Sequence, residues 1–243
     1  IWNLSGANVN GQETIRSMNN SLRHRGPDDE GTWSDVEDKL FLGHRRLSII
    51  DTSAAGHQPM ISDKGTVVVF NGEIYNHGEL REELGRSGVR RTEDRGQRTE
   101  GAEWRGHSDT EVLLAGFETW GLRKTIDRSV GMFALAVWDR KERVLTLIRD
   151  RLGEKPLYYG WQGKGEKKSF IFGSELSALQ GHPSFEGQID RDALCLYLRY
   201  AYVPTPHSIF QGISKLEPGC LLSVFPGQAE SKKEIYWSVG RAA

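Results

Sequence analysis

An α+β fold built around one continuous core is predicted by three features of this sequence. Short β-branched runs read as strands, residues 131–138 and 143–148 form a clear hairpin, and amphipathic stretches with helix caps flank them. At 243 residues the chain suits one large domain or two small ones, and can bury a substantial core.

The chain opens on Ile1-Trp2-Asn3-Leu4-Ser5-Gly6, apolar from its first residue, so further residues are expected upstream. Ile15, Met18 and Leu22 fall at helical spacing, in a helix that ends before Gly26-Pro27. Arg23-His24-Arg25-Gly26-Pro27-Asp28 is a charged turn, either a solvated helix end or a site wall. Residues 39–51 read as a strand, a bend carrying Arg45 and Arg46, and a second apolar segment. Residues 66–70 form a short strand buried on both faces, which stops at Asn71-Gly72-Glu73. A helix opens at Asn76 or His77 and runs through Leu84, with Glu79 at capping-box spacing from Asn76. Residues 85–106 are polar and Gly-rich and read as a flexible surface loop.

Ser108 and Glu111 make a second capping box, ahead of a stripe of Val112, Leu113, Phe117 and Trp120. The hairpin follows, then two strands over residues 156–161 and 170–172 around a Gly- and Lys-rich loop. A short helix follows Gly173-Ser174-Glu175. Asp190 caps another, whose Leu194, Tyr197 and Leu198 are expected to face inward, and residues 220–225 are the last strand.

Composition narrows the function classes. A net charge of −1 gives no bulk pull toward nucleic acid or membrane, and the arginines of 85–106 are interleaved with acids. The longest apolar run, 132–138, is far too short to span a bilayer. No basic segment followed by an apolar one opens the chain, so a cytoplasmic setting is expected. Two cysteines make no disulfide framework, and both Cys195 and Cys220 read as buried inert thiols. The seven histidines contain no helical i, i+4 pair and there is no CxxC, so no metal site is expected. Neither a GxGxxG nor a GxxxxGK[ST] pattern cradles a nucleotide.

Three places carry candidate chemistry. Asn71-Gly72 can be a hairpin turn, or a side-chain donor and an accessible main-chain N–H aimed at one oxyanion. Arg45 and Arg46 can be a surface pair, or one of them, held between apolar segments, can bind a carboxylate bidentately. Asp109 can simply complement the dipole of its helix, or use that position to stay ionised and bind an ammonium.

Several of these stretches together resemble a known family. They are Arg23-His24-Arg25-Gly26-Pro27-Asp28, Gly43-His44-Arg45-Arg46-Leu47-Ser48-Ile49-Ile50-Asp51, Phe70-Asn71-Gly72-Glu73-Ile74-Tyr75-Asn76 and Gly106-His107-Ser108-Asp109-Thr110-Glu111. They resemble the class II glutamine amidotransferase (glutaminase) domain. Gly131-Met132-Phe133-Ala134 and Arg149-Asp150-Arg151-Leu152-Gly153-Glu154-Lys155-Pro156-Leu157-Tyr158-Tyr159 narrow the resemblance to glutamine-hydrolysing asparagine synthetases. It covers residues 1–237, with 85–106 an insertion loop, 190–237 the lead-in to a synthetase domain, and 238–243 a tail. The resemblance implies an N-terminal-nucleophile hydrolase sandwich, two antiparallel sheets between helical layers (αββα). It implies that Arg46 binds the glutamine α-carboxylate and Asp109 its α-ammonium. Leu47, Ser48, Ile49 and Ile50 would line the pocket, Glu73 would orient the ligand, and Asn71 with the Gly72 N–H would hold the oxyanion.

Two departures matter. The family's nucleophile is an amino-terminal Cys opening a Cys-Gly-Ile-like strand, and this sequence begins at Ile1, past that point. The family continues into an ATP-dependent synthetase domain, and no Ser-Gly-Gly-x-Asp-Ser-like loop occurs before Ala243. The glutaminase half then needs no cofactor, and ATP with Mg is implied only for that other domain. L-Glutamine and a synthetase domain in the same chain are the expected partners, with oligomeric state left open, a homodimer included. The readings kept beside this one are a silent glutamine-binding remnant, an amidotransferase with another nitrogen acceptor, and an acylase or protease of the same nucleophile class.

Overall fold

Along residues 131–139, Phe133, Leu135 and Val137 alternate with Ala134, Ala136 and Trp138, and all six are buried. A strand buried on alternate residues has a packed layer on each face. That is the centre of the fold. The computed structural model describes residues 2–3, 10–87, 90–91, 103–165, 168–227 and 231–242. In chain order the elements are β1 (Trp2–Asn3), α1 (Gly11–Ser21), β2 (Asp29–Asp35), β3 (Leu40–Arg46), β4 (Met60–Ile61), β5 (Val67–Ile74), α2 (His77–Arg86), β6 (Arg90–Arg91) and β7 (Glu103–Trp104). There follow α3 (Asp109–Trp120), α4 (Leu122–Arg128), β8 (Gly131–Asp139), β9 (Val144–Arg149), β10 (Tyr158–Gln162), β11 (Ser169–Gly173) and α5 (Leu176–Gln180). The chain finishes with α6 (Arg191–Tyr200), β12 (Ile213–Lys215), β13 (Cys220–Val224), β14 (Ser231–Ile235) and α7 (Val239–Ala242).

Two six-stranded sheets face one another, in the orders β12-β10-β11-β1-β3-β2 and β14-β13-β9-β8-β5-β4. Every pairing within them is antiparallel. Trp138, Leu147, Phe170 and Leu222 fill the space between the sheets. Ile15 and Met18 of α1 pack with Leu179 of α5 on the outer face of the first sheet. Leu80, Leu113, Phe117 and Ile126, from α2, α3 and α4, cover the outer face of the second. The αββα sandwich implied by the family resemblance is therefore the fold. The core is divided by the two sheets into three clusters rather than forming one continuous body.

Several local expectations change. β5 does not stop at Asn71-Gly72, because β8 supplies a partner for every residue through Ile74, with Gly72 opposite Phe133. The Asn-Gly pair is mid-strand, and a Cβ on Gly72 would overlap Met132 O of β8, so the close strand approach requires the glycine. Arg45 and Arg46 lie in β3, opposite Glu30 and Asp29 of β2, and not in a bend. Asn76 makes no side-chain cap; its side chain accepts from Val130 N and donates to Arg128 O. Leu194, Tyr197 and Leu198 of α6 face outward, Leu198 being 75% exposed, and Cys195 is exposed beside them. Helical spacing identified an apolar face there but not what it meets. Strand β14 follows β13, which is not the last. Of the 85–106 loop, α2 extends to Arg86, β6 pairs with β7 and Trp104 is buried; 88–89 and 92–102 lie outside the described residues.

Replacing Trp138 by Ala empties the centre of the inter-sheet layer and should cost about 3–5 kcal/mol. Leu198→Ala should change stability by less than about 0.5 kcal/mol. Urea unfolding of the two variants against the parent chain measures both.

Candidate functional site

β5 has β8 along one side, but on its other side β4 pairs only with Val67 and Val68. In an antiparallel ladder, successive residues point their N–H and C=O to alternate sides. Phe133, opposite Gly72, turns both groups toward Asp150. Its N–H donates to Asp150 Oδ2 at 3.2 Å, and its carbonyl accepts from Asp150 N at 2.8 Å. The Gly72 N–H therefore points away from β8, beyond the end of β4. On that same side the Phe70 N–H donates to Gln58 Oε1 at 2.7 Å and the Ile74 N–H to Asp109 Oδ2 at 3.0 Å. The side chains of Gln58 and Asp109 replace a neighbouring strand at residues 70 and 74. Between them lies Gly72.

Asn71 projects from the inter-sheet face of β5, and its Nδ2 donates to Ser174 Oγ, just past β11 of the facing sheet, at 3.3 Å. Arg46 closes another wall. Its Nη1 donates to Ser53 O at 2.9 Å and its Nη2 to Asp51 O, which seats the guanidinium on the loop of residues 51–56. Gly56 allows that seat, since a Cβ there would overlap Nη2. The Asp51 carboxylate accepts from Ser53 N, Ser53 Oγ and His107 N, and so ties this loop to the start of α3.

One cavity of about 340 Å³ is lined by Arg46, Asn71, Gly72, Glu73 and Asp109 together, with Leu47, Ile49 and Ile50 on its wall. Ser48 is not on that wall; its N–H donates to Asp28 Oδ2 at 2.8 Å, which fixes the chain just past Arg46. Leu47 and Ile49 are largely exposed, so this apolar segment borders the cavity without entering the core. Of the residues the sequence pointed to, then, eight of nine share one space.

The carboxylates differ. Asp109 is 5% exposed, and burial raises its carboxyl above the ordinary range despite bonds from Ile74 N and Thr110 N and the nearby His77. Its place in the first turn of α3 does not offset that burial. Burial also acts on Asp51, but bonds from Ser53 and His107 and the charge of Arg46 outweigh it and hold this carboxyl low. His44 is pushed by burial down to about 4, so it is neutral at pH 7 and its Nε2–H donates to Phe70 O at 3.0 Å.

Sequence reasoning singled out neither Gln58 nor Ser174, and quoted His44 only as part of a motif. A Gln before a Pro carries no signal of its own; only the fold brings it to β5. Ser108 Oγ accepts from Glu111 N at 3.2 Å, so the helix cap beside Asp109 forms. The Glu111 carboxylate turns instead to the N–H groups of Arg105 and Gly106 and to Arg81.

A profile of the glutamine amidotransferase domain matches residues 1–237. Asparagine synthetase (glutamine-hydrolysing) 3 of Bacillus subtilis is 36% identical over 219 residues, covering 88% of this chain and 32% of its own length. The putative asparagine synthetase (glutamine-hydrolysing) 2 of Methanocaldococcus jannaschii is 33% identical over 247 residues, covering 94% and 44% respectively. This chain thus spans a third to under half of those curated relatives. The glutamine phosphoribosylpyrophosphate amidotransferase of B. subtilis, complexed with ADP and GMP, superposes with a TM-score of 0.58. It is 17% identical over 93% of this chain and 46% of that one, a likeness of fold.

The raised Asp109 carboxyl gives a pH signature. The folded state holds this proton more tightly than the unfolded chain, whose value is near 3.9. The contribution of this group is therefore fully present below that pH and is lost as pH rises through the folded value. Carbon-13 titration should show Asp109 Cγ changing above the ordinary carboxylate range, and Asp51 Cγ below it.

Proposed function

From the premise that the chain belongs to the class II glutamine amidotransferase domain family, we propose that its cavity binds L-glutamine and serves its hydrolysis to glutamate and ammonia. The observation that carries this reading is the pairing of Arg46 and Asp109 in one space with Asn71 and Gly72. A free amino acid's head group is a zwitterion, and it needs one fixed cation and one fixed anion. Arg46, held from behind by two carbonyls, binds the α-carboxylate with its remaining N–H groups. Asp109, costly to ionise when buried, gains most from an arriving ammonium. The side-chain carbonyl then faces the Gly72 N–H and Asn71 Nδ2. Those donors hold the charge that develops when the carbonyl becomes tetrahedral.

The attacking group is an amino-terminal Cys thiol, whose proton passes to its own α-amine, with a pKa near 8. Neither thiol in this sequence serves: Cys220 lies in the inter-sheet core and Cys195 on the outer face of α6. The register of β1 supports the entry point. Trp2 stands opposite both Leu40 and Phe170, so the antiparallel line followed back from Trp2 runs toward Gly43 and Gly173, which line the cavity. Both are three residues along their strands, the register of a Cys two residues ahead of Ile1. The proton carried by the amine goes to the departing ammonia, and water then opens the thioester.

The names of the relatives, glutamine-hydrolysing asparagine synthetases, support the larger proposal that the ammonia serves amidation of aspartate by a synthetase domain. ATP and Mg at that domain, and a cytoplasmic setting, complete the proposal. The hydrolytic half itself draws on no cofactor. Among the described residues no helix is long and apolar enough to cross a membrane.

The test is glutamine hydrolysis by the chain carrying Cys-Gly ahead of Ile1. It should release glutamate and ammonia in equal amounts. Asn71→Ala should lower kcat by roughly 10²–10³-fold. Asp109→Asn should weaken glutamine binding by about 1.5–3 kcal/mol. Turnover that is indifferent to Asp109→Asn would favour an acylase of other specificity.

A further inference from the structure

Gln58 has no part in the contacts proposed for glutamine, yet it is buried beside them. Its side-chain amide makes three bonds: Oε1 accepts from Phe70 N at 2.7 Å, and Nε2 donates to Phe70 O at 3.2 Å and to Thr110 Oγ1 at 3.3 Å. The first two bonds reproduce those a neighbouring strand would make. The third reaches the residue after Asp109. The Gln58 main chain lies close against β2, where a Cβ on Gly31 would overlap its carbonyl oxygen. Neutral His44 adds a second donor to the same Phe70 carbonyl from the facing sheet.

We infer that Gln58 is a positioning residue for glutamine hydrolysis, and that it sets the distance between the oxyanion donors and the ammonium site. The inference rests on the proposed glutaminase reading. Among the described residues, no strand pairs with β5 on its outer side beyond Val68. Without Gln58 the peptide of Phe70, which carries Asn71 and then Gly72, is fixed on that side by His44 alone. Arg46 and Asp109 keep their own anchors at Asp51, Ser53 and Ile74. Loss of Gln58 should therefore spare the grip on the head group and spoil the aim of the oxyanion donors. A displacement of about 1 Å is enough to cost on the order of 10²-fold in rate.

Gln58→Glu keeps the shape and removes both donors, and a buried carboxylate would face Phe70 O and Thr110 Oγ1. In the chain carrying Cys-Gly, this variant should lower kcat by at least tenfold while KM and the glutamine Kd stay within about threefold. Thr110→Val, which removes one acceptor, should show a smaller loss of the same kind, and Thr110→Ser should restore it. Retained kcat in Gln58→Glu, or kcat and affinity falling together, would overturn the inference. A second readout does not depend on turnover. In the chain beginning at Ile1, Gln58→Glu or Thr110→Val should shift the nitrogen-15 resonances of Asn71 Nδ2 and the Gly72 amide while leaving Arg46 Nε in place. Unmoved Asn71 and Gly72 resonances refute the positioning role. An inactive Cys-Gly parent refutes instead the glutaminase reading.

Discussion

The molecule depends on a strand left deliberately half-paired. β5 is locked to β8 from Val67 to Ile74, but β4 covers only its first two residues on the other side. Unpaired main-chain groups inside a protein are expensive and are normally satisfied. Here Gln58 satisfies those of Phe70 and Asp109 that of Ile74, with side chains drawn from a distant loop and from α3. Gly72 stands between them with its N–H directed beside the cavity. The three-cluster core makes this rigid, because β5 is packed against helices through Phe70 and Ile74 and against the facing sheet through Val67.

Charge is arranged with the same economy. A guanidinium seated on two carbonyls and a buried carboxylate, its carboxyl raised by burial, border one cavity. Under the proposed function, the cost of burying Asp109 in the empty protein becomes selectivity for an α-amino acid, since a ligand without an ammonium leaves that cost in place. His44, neutral through burial, contributes a donor without adding a competing cation beside Arg46.

The sequence made much of this legible, and the reason it failed elsewhere is consistent. The β8–β9 hairpin and the caps at Ser108 and Asp190 were readable because their signals are local. Arg46 and Asp109 were readable through the motifs that carry them. Asn71-Gly72 was misread as a stop because Asn-Gly is a local turn signal. Its true role is set by β8, about sixty residues away, which gives Gly72 its partner. The outward face of α6 was misread because periodicity gives a stripe and not its neighbour. Gln58 stayed hidden since its bonds depend wholly on tertiary contact.

The most direct measurement is a crystal structure of this chain with L-glutamine bound. The account predicts the α-carboxylate on the Arg46 guanidinium, the α-ammonium on Asp109, and the side-chain carbonyl oxygen within hydrogen-bond distance of the Gly72 N–H and Asn71 Nδ2. A ligand bound elsewhere, or one in this cavity with its carbonyl turned away from residues 71 and 72, would contradict it.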